Sequence, residues 1–272
     1  MFIVDSQIHL WTGLGAPPHH RQIPYTIAEA LRDMQDAGVA RAVNCPAIWD
    51  PEANDYAVEA ARQYPDRFAT TGWFPLDTPQ PPVFVERFLS RPGMLGLRFV
   101  LMQPQIVDAL KKRRLDWVWR VANDLSRPVA LILPKPLLPL VDDLATRFPQ
   151  INFLIDHLNI GPHDTLPAAT NHLDALCALA QRPNIGIKAS ASASMSNEAY
   201  PFRDVSPVLE RVFQAFGPDR MFWGTDFTRM TISLRQCVEV FTQHLEWLQG
   251  EDLEKVMGLA VCKWLNWLTP ET

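Results

Sequence analysis

The chain has 272 residues, of which 47% are hydrophobic, and a formal net charge of -5. This length and composition allow one large core and are typical of an α/β barrel that forms a single domain over residues 1–272. The weak negative charge, without a basic stripe, argues against nucleic acid as a partner, and no apolar run approaches the ~20 residues that cross a membrane. Four dispersed cysteines and the lack of a secretory leader predict a cytoplasmic protein.

Predicted strands alternate with predicted helices along the chain. The strands are short apolar runs over residues 2–8, 39–47, 68–76, 94–101, 128–133, 151–158, 184–190 and 221–226. The helices include one that opens on the capping box Thr26-Ile27-Ala28-Glu29, a long helix over 103–125, one over 165–181 and two closing helices over 233–247 and 253–268. Eight such units favour a closed (β/α)8 barrel, or TIM barrel, with right-handed crossovers. Neither GxGxxG after a strand nor a P-loop occurs, which argues against nucleotide-binding open sheets.

Polar side chains stand at the carboxyl ends of these strands, where barrel enzymes place their active sites. They are Gln7, His9, Arg98, His157, Lys188 and Asp226. Asp5, Gln7 and His9 follow a period of two, so they share one face of the first strand. Because the six residues come from distant parts of the chain, only closure of the barrel brings them together. We therefore expect one site.

Each of these residues also has a structural interpretation. Asp226 could cap the following helix, Arg98 could form a buried salt bridge with Asp5, and Lys188 could extend out of the barrel to solvent. The remaining histidines are interpreted as solvated or structural; they are His19, His20, His163, His172 and His244. The indoles that follow or end the first three strands could wall a pocket or simply fill the core; they are Trp11, Trp49 and Trp73.

Five segments carry a resemblance to a known family. They are Asp5-Ser6-Gln7-Ile8-His9-Leu10-Trp11, Gly96-Leu97-Arg98, Ile155-Asp156-His157, Lys188-Ala189-Ser190 and Trp223-Gly224-Thr225-Asp226. In this order and over nearly the whole chain, they resemble the amidohydrolase superfamily, in the branch of 2-pyrone dicarboxylate hydrolase and the sugar lactonases. The resemblance implies a (β/α)8 barrel that hydrolyses a ring ester or amide.

The same resemblance implies roles for the site residues. Asp226 would be the general base on water, and His157 and His9 would assist at the scissile carbonyl. Arg98 and Lys188 would hold substrate carboxylates. The full set of predicted substrate-contacting residues is Gln7, Arg98, Lys188, Trp11 and Ser190.

The chain departs from the family in its metal ligands. The family's His-x-His on strand one reads Gln7-Ile8-His9, and strand five runs Leu131-Ile132-Leu133-Pro134 where the family has a ligand His. Since a zinc site needs at least three good protein ligands, we expect a metal-independent enzyme that opens a small, carboxylated lactone. The alternative is one divalent ion, such as zinc, on His9, His157 and Asp226.

Two further functions stay open at this point. One is a metal-dependent amidohydrolase or decarboxylase of the same superfamily. The other is an inactive barrel that binds a small acid, which the missing ligands would favour. The expected partner is a small anionic substrate, without nucleic acid or membrane, and barrels of this kind often pair, so a homodimer is compatible with the chain.

Overall fold

The computed structural model describes residues 1–268. Eight strands pair in parallel, each with the next along the chain, and form one sheet. They are β1 (Val4–Ile8), β2 (Arg41–Asn44), β3 (Phe68–Gly72), β4 (Met94–Val100), β5 (Val129–Ile132), β6 (Phe153–Ile155), β7 (Ile185–Ala189) and β8 (Met221–Trp223). This arrangement confirms the predicted (β/α)8 barrel.

Helices connect the strands and cover the outside of the barrel. They are α1 (Ile27–Ala37), α2 (Ala53–Gln63), α3 (Pro82–Leu89), α4 (Pro104–Lys111), α5 (Asp116–Asp124), α6 (Leu138–Arg147), α7 (Leu173–Ala178), α8 (Ser206–Phe216), α9 (Leu234–Gln243), α10 (Gly250–Glu254) and α11 (Ala260–Trp264). Two predicted helices were too long. The run over 103–125 breaks between α4 and α5, where Arg113 has a φ of 57°, and the run over 165–181 contains one short helix, α7, flanked by 3-10 turns.

The strands form because their side chains are buried on both faces of the sheet. The residues of β5, β6 and β8 are almost all apolar and buried, as expected where helices cover the outside and side chains fill the inside. The capping box before α1 is present, with Thr26 and Glu29 each bonding the other's backbone N–H. Gly38 ends this helix in the left-handed conformation, at a φ of 73°, which glycine adopts without strain.

Polar side chains complete the seam between β8 and β1. The N–H of Asp226 donates to the carbonyl of Gln7 over 2.8 Å. The Asp5 carboxylate accepts from the N–H of Thr225 and the N–H of Gln7, each over 2.9 Å, and also from the Thr225 hydroxyl. Gly224 is required here because a Cβ at this position would lie 2.5 Å from the Ser6 hydroxyl. The seam therefore fixes Asp226 next to the end of β1.

Within residues 1–268 the structure contains no helix that is both long and apolar enough to cross a bilayer.

Candidate active site

A cavity of about 630 Å³ opens at the carboxyl ends of the strands. Four of the predicted site residues line it: His9 after β1, Arg98 in β4, His157 after β6 and Asp226 after β8. These side chains are 4%, 6%, 5% and 1% exposed, respectively, so the polar groups stand in a largely desolvated environment. Barrel closure does bring these distant residues together, as the spacing of the strands predicts.

Asp226 is the centre of the polar group. Its Oδ1 lies 3.0 Å from His9 Nε2, and its Oδ2 lies 3.1 Å from Arg229 Nη1 and 3.7 Å from His157 Nε2. Burial alone would raise the pKa of Asp226, but the two imidazoles and the guanidinium hold that pKa well below its usual range. The carboxylate is therefore ionised, and its side chain faces the cavity instead of capping a helix.

The two imidazoles are oriented by different partners. His9 donates through Nδ1 to the Cys45 carbonyl over 2.5 Å, and because a carbonyl only accepts, Nδ1 carries a proton. His157 Nδ1 lies 2.8 Å from the Ser190 hydroxyl. Burial lowers the pKa of His157 to about 3, against the pull of Asp226, so this ring is neutral at neutral pH.

The backbone around these groups is held in an unusual conformation. His157, Leu158 and Asn159 have φ values of 54°, 52° and 54°, and Asp226 has a φ of 50°. Residues other than glycine seldom adopt this left-handed region, which costs of order 1 kcal/mol or more each and is found most often at functional sites. The turn after β6 places both His157 and Asn159 on the cavity wall.

A layer of buried charges lies next to the cavity. Asp156 stands between two cations: its Oδ2 accepts from Arg98 Nε over 2.7 Å, and its Oδ1 lies 3.0 Å from Lys188 Nζ. Lys188 also donates to Gln7 Oε1 over 2.8 Å. Burial works against ionisation, but the two cations lower the pKa of Asp156 to about 2. The predicted pairing of Arg98 with Asp5 is wrong, since Asp5 serves the β1–β8 seam.

Four of the predicted substrate-contacting residues lie outside the lining of this cavity in the described chain. Gln7, Lys188, Trp11 and Ser190 are each at most 1% exposed. Lys188 does not extend to solvent; it is buried on Asp156 and Gln7. Trp11 packs edge-on against Trp49, which does line the cavity, with 5.3 Å between ring centroids. Ser190 hydrogen-bonds His157, and Trp11 packs on Trp49, so both contact the cavity lining directly. Lys188 and Gln7 are connected to it through Asp156, which bonds Arg98.

Several polar residues that were not predicted to form the site also line the cavity, among them His19, Arg229, Asn159 and His20. Arg229 stands three positions after Asp226 and holds its carboxylate. Asn159 accepts from the Leu133 N–H, while its buried Nδ2 has no partner within residues 1–268. His20, interpreted above as solvated or structural, is buried on the cavity wall, with Nδ1 2.8 Å from the Thr228 hydroxyl. The position of Arg229 beside Asp226 in the sequence was a usable signal; His20 lies in a proline-rich loop without periodicity.

His20 changes the count of metal donors. One ligand atom from each of His9, His20 and Asp226 lies within 4.8 Å of the others. These three residues are two imidazoles and a carboxylate, a donor set that zinc accepts. The predicted alternative set of metal ligands was His9, His157 and Asp226. In the structure, His20 takes the place of His157 in the set of close donor atoms.

Comparisons with known proteins place the chain in a family. The sequence profile of an amidohydrolase family matches residues 4–259. The chain is 27% identical over 242 residues to an L-fucono-1,5-lactonase of Burkholderia ambifaria, covering 83% of this chain and 80% of the relative. It is 24% identical over 231 residues to a 4-sulfomuconolactone hydrolase of Hydrogenophaga intermedia, covering 82% of this chain and 73% of the relative.

The fold is shared with solved structures. A crystal structure of an amidohydrolase from Burkholderia multivorans with bound HEPES superimposes with a TM-score of 0.83 at 17% identity, covering 98% of this chain and 99% of the other.

Proposed function

This chain belongs to the amidohydrolase family, and we propose that it is a hydrolase that opens a small lactone with Asp226 as the general base. Two observations support lactone hydrolysis: the curated relatives named above are both lactone-opening hydrolases, and the cavity gathers an ionised carboxylate, imidazoles and cations. The observation that carries the base assignment is the position of Asp226, ionised and facing the cavity between His9 and His157.

The proposed reaction begins with a water molecule beside Asp226. The carboxylate takes a proton from the water while the water oxygen attacks the lactone carbonyl carbon. This attack gives a tetrahedral oxyanion. The ring C–O bond then breaks, and the leaving alkoxide takes the proton from Asp226, so the product is an open hydroxy acid. A positioned base of this kind typically contributes ~10²–10⁴-fold to the rate.

The developing oxyanion needs donors or positive charge close to Asp226. We assign this role to His157 and Arg229. The neutral His157 ring donates through Nε2 when the Ser190 hydroxyl donates to its Nδ1, and Arg229 stands 3.1 Å from Asp226. Fixed donors and charges in a desolvated site are usually the largest contribution to catalysis. His9 Nε2 lies 3.0 Å from the other carboxylate oxygen.

Arg98 is the proposed anchor for a substrate carboxylate. Arg98 donates to Asp156 through Nε. Within residues 1–268 this leaves the two terminal nitrogens of the guanidinium for a ligand in the cavity. Lys188 was predicted to share this role; we now propose that it acts through Asp156 and Gln7 as a positioning residue. Gln7 and Ser190 support Lys188 and His157 in the same indirect way.

We propose that the reaction needs no resident metal ion. The family implies one, and His9, His20 and Asp226 fit a single divalent ion such as zinc, which would supply Lewis acidity and an activated water when bound. Against this, the Arg229 guanidinium already neutralises Asp226, and a second positive charge beside it would be repelled.

Metal content decides between these two forms of the site. The enzyme is purified without added zinc, analysed for metal by mass spectrometry, and assayed before and after chelation. We expect less than one equivalent and unchanged activity. A tight equivalent that is lost in His20→Gln, and whose removal abolishes lactone hydrolysis, would replace this proposal with the zinc site.

A substrate screen tests the proposed function itself. Lactones and small cyclic esters are incubated with the enzyme, and proton release is followed together with CO2 release. We expect proton release from lactones, at a rate that is ~10²–10⁴-fold lower in Asp226→Asn. CO2 release from aromatic acids would support a decarboxylase, and ligand-induced thermal stabilisation without turnover of any lactone would support the inactive binding barrel.

A further inference from the structure

The cavity has two chemically different walls. The ends of β8 and β1, with the loop after β1, provide Asp226, Arg229, His9 and His20. In a barrel whose strands are ordered β1 to β8, β4 and β5 lie across from β8 and β1. The wall at β4 and β5 therefore faces the charged one. We call these two surfaces the charged wall and the apolar wall.

The apolar wall is built from the ends of two strands. Its apolar members are Val100, Met102, Ile132, Leu133 and Pro134, and Arg98 also lines the cavity from β4 on this side. Ile160 and Pro162, which follow the turn after β6, extend the same surface. Beyond it, Lys135 Nζ and Asp164 pair with each other over 2.7 Å, so their charges are already satisfied.

Two large side chains at this cavity remain open to water. Ile48 is 53% exposed and Met102 is 51% exposed, and both line the cavity. Apolar surface in a concave site is stabilised when an apolar group covers it and removes it from water. A ligand rich in hydroxyl groups would instead lose hydrogen bonds to water against this wall without replacing them.

The cavity is large enough to hold more than a bare lactone ring. At about 630 Å³ the cavity lies within the range that holds drug-sized ligands, about 300–1,000 Å³. A bare five- or six-membered lactone at Asp226 would leave the space along Ile132 and Met102 filled with water. A substituent on the ring would occupy that space.

We propose that the substrate is a lactone whose ring carries an apolar arm, alkyl or aryl, and that the arm lies on the apolar wall. This inference rests on the proposed lactone hydrolysis and adds the chemical class of the substrate. The ester group meets Asp226 and His157, and the arm extends across the cavity to Ile132 and Met102. A polyhydroxylated sugar lactone is a poor match for the same surface.

A homologous series of substrates tests the proposal. The value of kcat/KM is measured for γ- and δ-lactones with alkyl side chains from methyl to octyl, and for aldonolactones with the same rings. We expect kcat/KM to rise by about threefold for each added methylene until the wall is covered, and to exceed that of the aldonolactones. Ile132→Thr and Met102→Ser should reduce this rise, while Val83→Ser, on an exposed side chain of α3 outside the cavity, should keep it.

The outcomes separate the two proposals. If alkyl lactones are hydrolysed with no dependence on chain length, or if aldonolactones are preferred, the apolar-arm proposal is wrong and lactone hydrolysis stands. If no lactone of either kind is hydrolysed, lactone hydrolysis fails and the apolar arm fails with it. If the rise is present in Met102→Ser and Ile132→Thr at full size, the arm does not lie on this wall.

Discussion

The charged wall and the apolar wall of the cavity are supported in different ways. Buried charges support the polar residues of the cavity: Asp5 bonds the β1–β8 seam next to Asp226, and Asp156 stands between Arg98 and Lys188. On the apolar wall, the residue next to Ile132 in β5 is Leu131, which is buried in the hydrophobic core. The proposed catalytic groups are thus fixed by a network in which each member needs the others. The apolar residues proposed to select the substrate are held by packing and can change one at a time.

The largest difference between the walls should appear in stability. Asp156→Ala leaves the Arg98 and Lys188 cations buried without their shared acid, and breaking a buried pair in this way costs about 3–5 kcal/mol. Val100→Ala on the apolar wall removes only part of a half-buried side chain and should cost less. Urea denaturation followed by circular dichroism measures both. Equal losses would mean that Asp156 is not the centre of the supporting network.

The next effect concerns the binding of a substrate carboxylate by Arg98, the charged residue that lines the cavity from β4. Arg98→Met should raise KM for a carboxylated lactone by about ten- to a hundredfold, because a charge-assisted hydrogen bond is lost. Uncharged lactones should show a much smaller change. Arg120→Met, on an exposed arginine of α5, is the matched control. An unchanged KM for the carboxylated substrate would remove Arg98 from the binding role.

A smaller effect follows from the buried imidazole of His157. Its folded-state pKa is about 3, below the ordinary value of 6.5, so the unfolded chain binds this proton first as the pH falls. The contribution of a neutral His157 to stability is fully present above pH 6.5 and is lost as the pH falls toward 3. The loss should approach about 1.4 kcal/mol per pH unit below pH 6 for this one proton.

His157→Gln isolates that contribution. Asp5, whose pKa burial raises to about 7, acts in the opposite direction, since its stabilising protonation is lost as the pH rises. The wild type and the variant share Asp5, so the difference between their unfolding free energies at pH 5 and pH 7 reports His157. A variant that loses as much stability on acidification as the wild type would show that His157 is not buried in its neutral form.

Much of the fold follows from local patterns. The apolar runs of β5, β6 and β8 predict buried parallel strands, and the polar residues at their ends predict the site, because a barrel brings all such ends to one rim. The depth at which each polar side chain lies in the barrel was not predictable. A period of two places Gln7 on the same face as His9, yet it does not say that Gln7 ends beneath the cavity while His9 lines it. His20 depends on the path of a loop, and the length of the helix after β4 depends on the left-handed Arg113.

In the proposed reaction the Asp226 carboxylate removes the proton from water. The most direct measurement is kcat of Asp226→Asn on the lactone that the wild type hydrolyses best, with circular dichroism to show that the variant is folded. We predict that kcat falls by ~10²–10⁴-fold, which is about 2.7–5.4 kcal/mol of barrier. A folded Asp226→Asn enzyme with turnover close to that of the wild type would contradict the account.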